Sequence, residues 1–231
     1  MAGEGRYTQG SYLEHNPSWH VEDSAWKADQ ILSMMRAHDL RPRSIAEVGC
    51  GAGEILRILH DTLSEDVTFV GYEVSPQALE LARPRASERL RFELADIGDD
   101  GSAAFDLALV MDVIEHLEDP FAFLRRLRGK ADLKILHIPL DLSAVSVARP
   151  HALLGSRGEV GHVQYFIRET ALAVLTDAGY EVLDARYTYT GGPPRSPKAL
   201  LLHALRRLAR AINPDVGVRL FGGHSLLVLA R

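Results

Sequence analysis

A single cysteine, Cys50, stands in 231 residues, so the chain can neither close an internal disulfide nor build a multi-cysteine zinc site. Aromatic residues make up only 7% of the sequence. They are not interleaved with basic ones in the way that stacks the bases of single-stranded nucleic acid. No stretch reaches the roughly 18 consecutive apolar residues that a membrane span needs, and the first thirty residues lack the apolar core of a secretion signal. A cytoplasmic protein is the expectation. Positive charge is also short: a formal net charge of −5 argues against a protein whose main work is holding a phosphate backbone. The deficit is uneven. From Thr190 onward Arg195, Lys198, Arg206, Arg207, Arg210, Arg219 and Arg231 face Asp215 alone, a local +6 that leaves −11 for the remainder.

What is present is a globular composition, 46% hydrophobic and 25% charged. At roughly 150 residues per domain, the length predicts one domain with room for an appendage. Ala28, Ile31, Leu32 and Met35 recur at i, i+3, i+4 and i+7 behind Asp23 and Ser24, predicting an amphipathic helix from about Ser24 to His38. The apolar run 44–48 then meets Gly49-Cys50-Gly51-Ala52-Gly53, followed by Ile55, Leu56, Leu59 and Leu63 at helical spacing, which reads as strand, glycine turn, helix. Further strands are predicted at 67–72, 90–94, 105–111 and 133–138, with helices at 76–82 and 121–127. Such alternation predicts an α/β fold with a mostly parallel sheet covered on both faces, because parallel neighbours need crossover connections. After Pro139 the pattern is irregular until a helix at 169–177 and a strand at 180–189. Gly191-Gly192-Pro193-Pro194 breaks the chain before a basic helix at about 197–212, and 225–230 reads as a last strand. The expected division is a cover over residues 1–43, with Tyr12, Trp19, His20 and Trp26, and a main domain over 44–231 carrying an insert at 191–223.

The sharpest motif is Glu47-Val48-Gly49-Cys50-Gly51-Ala52-Gly53-Glu54 at the first strand-to-helix turn. Glycines there let the backbone approach a ligand and adopt dihedrals that a Cβ penalises. A dinucleotide fingerprint would place its third glycine at position 54, where Glu54 would repel a pyrophosphate, so a nicotinamide-dependent oxidoreductase is disfavoured. Glu73, 26 residues after Glu47 and at the end of the second strand, is placed to accept hydrogen bonds from both hydroxyls of a ribose. The ligand reads as a nucleoside without phosphates. Cys50 reads as a small turn residue with no neighbour in sequence to activate it.

At these residues the chain resembles the class I S-adenosylmethionine-dependent methyltransferases. The resemblance runs from about Ile45 to Tyr180: Glu47, Gly49, Cys50, Gly51 and Gly53 look like the family's first motif, Glu73 like its ribose-binding acid, and Asp96-Ile97 like the adenine-binding station. The stretch 105–117, containing Asp112, looks like the fourth strand and its following turn. It implies a Rossmann-like, doubly wound, seven-stranded sheet whose last strand is antiparallel, with S-adenosylmethionine as cofactor.

For the chemistry, Asp112, Glu115 and His116 fall at i, i+3 and i+4, on one face if a helix begins there, and His162 follows in the irregular region. In one reading His116 or His162 is a general base of near-neutral pKa. In another, Asp112, Glu115, His116 and His162 hold a divalent cation that acidifies a bound hydroxyl. This set resembles that of ubiquinone-biosynthesis O-methyltransferases and of small-RNA 3′-terminal 2′-O-methyltransferases, with Asp112 in place of their first acid. In a third, Asp112 touches the cofactor, Glu115-His116 caps a helix and His162 is structural.

The expected reaction is methyl transfer to a small-molecule oxygen. The alternatives are 2′-O-methylation of an RNA terminal nucleotide and a non-catalytic S-adenosylmethionine-binding regulator. Lys198, Arg206, Arg207 and Arg210 would attract an acidic small molecule or, with Leu201, Leu205 and Leu208, a membrane surface. The plainer reading is a basic helix whose leucines face its own core.

Overall fold

The computed structural model describes residues 18–19, 21–101, 104–189 and 197–231. Seven strands form one sheet: β1 (Ser44–Val48), β2 (Thr68–Glu73), β3 (Leu90–Leu94), β4 (Phe105–Met111), β5 (Ala131–Leu140), β6 (Val182–Thr188) and β7 (His224–Ala230). Their order across the sheet is β3-β2-β1-β4-β5-β7-β6, and β7 runs antiparallel to both of its neighbours. The Rossmann-like sheet with an antiparallel last strand is the one expected from the sequence.

The helices in chain order are α1 (Ser24–Ala37), α2 (Glu54–Thr62), α3 (Pro76–Ala82), α4 (Pro120–Arg128), α5 (Ala144–Val147), α6 (Pro150–Glu159), α7 (Arg168–Asp177), α8 (Pro197–Ile212) and α9 (Pro214–Phe221). Capping sets several of their starts. Ser75 accepts from the Ala78 amide at 3.4 Å, Asp119 from Ala122 and Asn213 from Val216, and each is followed by proline, whose missing N–H costs nothing in a first turn.

The two faces of the sheet bury separate cores, which explains why β1, β4 and β5 are apolar almost throughout. On one face Ile31, Met34, Leu56 and Leu59 from α1 and α2 pack with Ile45, Phe69 and Leu107. On the other, Leu124, Leu127, Ala171 and Leu175 from α4 and α7 pack with Val70, Val110 and Leu136. The helix over 24–37 is thus part of the sheet's own core, while its first turn reaches the ligand-binding edge. No helix among the described residues is long and apolar enough to cross a membrane.

Three elements differ from the sequence reading. The irregular stretch after Pro139 contains α5 and α6, short helices with no strong apolar period, and α9 follows directly on α8. Among the described side chains of α8, Leu205, Leu208 and Ile212 do not face the core, being 40%, 61% and 78% exposed. Arg206 lies towards α9, where Nε and Nη2 donate to the Phe221 carbonyl at 3.1 and 2.9 Å. Tyr12, His20, the Gly191–Pro194 break and the Leu201 side chain lie outside the described residues.

Candidate active site

Strand order reverses direction between β1 and β4, and open parallel sheets bind ligands at such a point, beyond the carboxyl ends of the strands. A cavity of about 320 Å³ lies there. Its floor is the 49–53 loop, where Gly49, Gly51 and Gly53 all take left-handed φ, +68°, +55° and +76°. A Cβ at Gly51 would stand 2.5 Å from the Trp19 ring and one at Gly53 would stand 2.5 Å from the Phe92 ring, so a close-fitting loop and its dihedrals both require glycine.

Glu73 ends β2 and supports this loop from behind. Its Oε2 accepts from the Gly51 amide at 2.9 Å, and its Oε1 accepts from Val74 and Ser75, both at 2.8 Å. Burial raises its pKa, opposed by those three amides. Glu47 is 2% exposed, and its Oε2 has no hydrogen-bond partner among the described residues. Desolvation pushes its pKa up to about 8, against the pull of the Lys27 ammonium. Cys50 is buried, and burial drives its thiol well above the ordinary range, so it is a packing residue in this turn.

Glu47, Gly49, Cys50, Gly51, Asp112, Glu115, His116 and His162 all line this one cavity. Gly53 and Glu73 stand directly behind it. Asp96 does not reach it: Oδ1 accepts from the Gly98 amide at 2.7 Å and Oδ2 pairs with Arg126 at 2.9 Å, while Ile97 is buried in the core.

The expectation that Asp112, Glu115 and His116 share a helical face is corrected by the backbone. Asp112 adopts φ +57°, and only 114–116 form a turn of 3-10 helix, so Asp112 is rotated away from the other two. Its carboxylate is held between the Nζ of Lys27 at 2.8 Å and the Nδ1 of His137 at 2.5 Å, and His137 Nε2 meets Thr188 Oγ1 at 2.9 Å. Burial alone would raise the Asp112 pKa, but His137 and Lys27 together hold it well below the carboxylate range.

Glu115, His116 and His162 do come together, with one candidate ligand atom from each lying within 4.8 Å of the others. Glu115 is fully buried, and neither carboxylate oxygen has a hydrogen-bond partner among the described residues. Desolvation, reinforced by Asp112, pushes its pKa well above the ordinary range. The His116 and His162 ring centroids are 5.0 Å apart. The loop of His162 is fixed by the Glu115 carbonyl, which accepts from the Val163 and Gln164 amides at 2.8 and 2.9 Å. His162 Nδ1 donates to Asp141 Oδ2 at 2.6 Å, which leaves Nε2 as the nitrogen available for chemistry.

The methyltransferase domain family matches residues 46–131, the stretch from β1 to the start of β5. Ajmaline N-methyltransferase of Rauvolfia serpentina is 32% identical over 117 residues, covering 45% of this chain and 39% of that protein. A ubiquinone biosynthesis O-methyltransferase of Idiomarina loihiensis is 25% identical over 151 residues, covering 59% of this chain and 60% of that protein. Residues 46–131 of this chain therefore carry a methyltransferase domain. The structure of magnesium protoporphyrin IX methyltransferase from Synechocystis PCC 6803, with S-adenosylhomocysteine bound, shares the fold at TM-score 0.61 and 16% identity, over 89% of this chain and 81% of that one. The matched part spans 39% and 60% of the length of the two curated relatives.

The residues of this site fit S-adenosylmethionine, the cofactor of the methyltransferase domain that the chain matches. Three of the five loop residues are glycine, an acid ends β2, and the Glu47 Oε2, without a hydrogen-bond partner among the described residues, provides an acceptor for an ammonium group. Lys27, His137, Asp141 and Thr188 are members of the site that the sequence reading missed. His137 did leave a signal, being with Lys134 one of two polar residues inside the otherwise apolar run 133–138.

Proposed function

We propose that this methyltransferase transfers the methyl group of S-adenosylmethionine to an oxygen of a small-molecule acceptor, with His162 removing the acceptor's proton. The observation that carries the reading is the 2.6 Å hydrogen bond between His162 and Asp141 at the rim of the glycine-loop cavity. A carboxylate on Nδ1 fixes the tautomer and orientation of an imidazole, so that Nε2 accepts the proton. The cofactor supplies a methyl on a sulfonium, and the transfer needs nucleophile, methyl and sulfur held in line and away from bulk water.

The chain's own groups divide this work. The 49–53 loop and Glu73 hold the nucleoside, Glu47 accepts from the ammonium of the methionine part, and Lys27 faces its carboxylate. Trp19, which packs on Gly51, and the first turn of α1 cover the site from residues 18–27, giving the N-terminal segment its role as a cover.

A second reading is favoured by Glu115, whose buried carboxylate has no hydrogen-bond partner among the described residues and lies 3.9 Å from His116 Nε2, in the cluster with His162. These three residues, without Asp112, would hold a divalent cation that acidifies the acceptor hydroxyl. His162 Nε2 would then be a ligand, with Asp141 orienting it.

The test measures release of S-adenosylhomocysteine with a panel of phenols, hydroxy acids and amines, with and without Mg²⁺, Co²⁺ and EDTA. Turnover unaffected by EDTA and reduced at least a hundredfold by His162→Ala, with cofactor affinity unchanged, supports the base. Loss of turnover in EDTA, restored by one cation, selects the metal. Equal losses of turnover and cofactor binding in His162→Ala would show that His162 is structural.

A further inference from the structure

A second cavity, of about 460 Å³, adjoins the first, and Pro139 and Ser225 line both. It lies under α5, α6, α8 and α9, at the carboxyl end of β5 and the start of β7. Its volume falls within the roughly 300–1,000 Å³ of small-molecule sites. The hydrogen bond from His162 to Asp141 spans the boundary, His162 lining the first cavity and Asp141 the second. The imidazole of His162 thus stands where the two cavities meet.

The lining of this cavity carries positive charge in an acidic protein. Several arginines elsewhere are paired with acids, Arg57 and Arg85 with Glu54, Arg126 with Asp96, Arg219 with Glu169 and Arg231 with Glu181. The two that line this cavity, Arg149 and Arg206, have no carboxylate partner among the described residues. Arg206 is fixed by a neutral acceptor, the Phe221 carbonyl, which positions the guanidinium without cancelling its charge. Arg149 occupies the N-cap position of α6 and makes no side-chain cap. The one acid in the lining, Asp141, is already committed to His162. Leu140, Val145, Phe221 and Tyr189 supply an apolar and aromatic wall, with the Tyr189 ring 5.4 Å from that of His224.

We propose that this cavity is the acceptor site, and that the acceptor carries an anionic group, a carboxylate or a phosphate, which Arg149 and Arg206 hold while its hydroxyl reaches His162. Guanidinium groups recognise both anions through paired N–H donors, and charge held at the far end of the molecule fixes which oxygen faces the methyl. The inference rests on the proposed methyl transfer and adds the substrate class.

The test is calorimetric, on protein saturated with S-adenosylhomocysteine, using benzoate, phenyl phosphate and the neutral benzyl alcohol as probes. At least one anion is expected to bind tenfold or more tightly than benzyl alcohol, and the two anions tell carboxylate from phosphate. Arg149→Ala, at an exposed side chain with no contact to lose, should remove most of that preference while leaving S-adenosylhomocysteine affinity unchanged. Arg206→Gln, which keeps a donor for the Phe221 carbonyl and removes the charge, should do the same. Equal affinity for anions and alcohol, no binding of any probe, or a preference that survives both substitutions would overturn the assignment. Failure of S-adenosylhomocysteine itself to bind would overturn the proposed function and the acceptor site with it. Cofactor binding without anion preference would remove the acceptor site alone.

Discussion

Lys27 Nζ lies 2.8 Å from Asp112 Oδ2, so the helix that precedes the sheet is tied to the turn that follows β4. The other oxygen of Asp112 belongs to His137 on β5. One carboxylate thus joins α1, the β4 turn and β5 at the edge where the cofactor loop lies. Burial opposes the charge on Lys27, but Asp112 outweighs it and the ammonium's pKa ends raised.

Removing one member of this pair leaves the other poorly compensated. Lys27→Met should destabilise the protein by about 1–3 kcal/mol, read by urea denaturation, and weaken S-adenosylmethionine binding. In a double-mutant cycle with Asp112→Asn, a coupling below roughly 0.5 kcal/mol would show that the pair does not act as a unit.

Glu47 makes stability fall with pH in a defined window. Its pKa is about 8 in the folded protein against an ordinary value of 4.5. The folded state therefore retains a proton that the unfolded state gives up. Its stabilising contribution is complete below pH 4.5 and is lost as pH rises towards 8, at up to about 1.4 kcal/mol per pH unit. Relative to Glu47→Gln, the wild type should weaken between pH 5 and 8 and level off above. Parallel pH profiles for the two proteins would contradict this. An ammonium placed against Glu47 favours its ionised form, so cofactor binding at pH 7 should release a proton, measured as a binding enthalpy that varies with the buffer's ionisation heat.

Glu73→Ala removes the acceptor of three backbone amides, among them that of Gly51 in the loop proposed to hold the nucleoside. Because hydrogen bonds to a charged group contribute about 1.5–3 kcal/mol each, the Kd for S-adenosylmethionine should rise at least tenfold. Unchanged affinity by calorimetry would remove Glu73 from the cofactor site.

Gly53→Ala confronts both a left-handed φ of +76° and a Phe92 ring 2.5 Å from the new Cβ. A loss of about 1–3 kcal/mol is expected. Adding Phe92→Leu should recover part of it, whereas no recovery would assign the whole cost to the backbone.

Asp141→Asn keeps the size of the side chain but loses the charge that orients His162. With His162 as base, kcat should fall tenfold or more while S-adenosylhomocysteine affinity is unchanged. An equal loss of cofactor affinity would point to positioning of the loop alone.

Much of the cofactor edge was legible in the sequence because it is local. The Gly49 to Gly53 loop and the acid at position 73 follow from where strands end, and strands 44–48, 90–94 and 105–111 appear at their expected bounds. Helices α5 and α6 were not legible, since four and ten residues without a clear apolar stripe carry no period to read. The i, i+3, i+4 argument for Asp112 failed because it assumed helical dihedrals at a residue that takes φ +57°.

The sequence by itself determined the α/β class, the glycine-loop edge and the identity of the histidines, because alternating apolar periods and glycine dihedrals act over a few residues. Only the tertiary structure decided which charges meet. Lys27 and Asp112 are 85 positions apart, and His137 and Thr188 are 51 apart. Strand order and the packing of α1 bring these groups within hydrogen-bonding distance. The exposure of Leu205 and Leu208 was decided in the same way, since α8 packs on α9 through Arg206 and the Phe221 carbonyl. Burial then sets the protonation of Glu47, a property of the surrounding fold that no local pattern encodes.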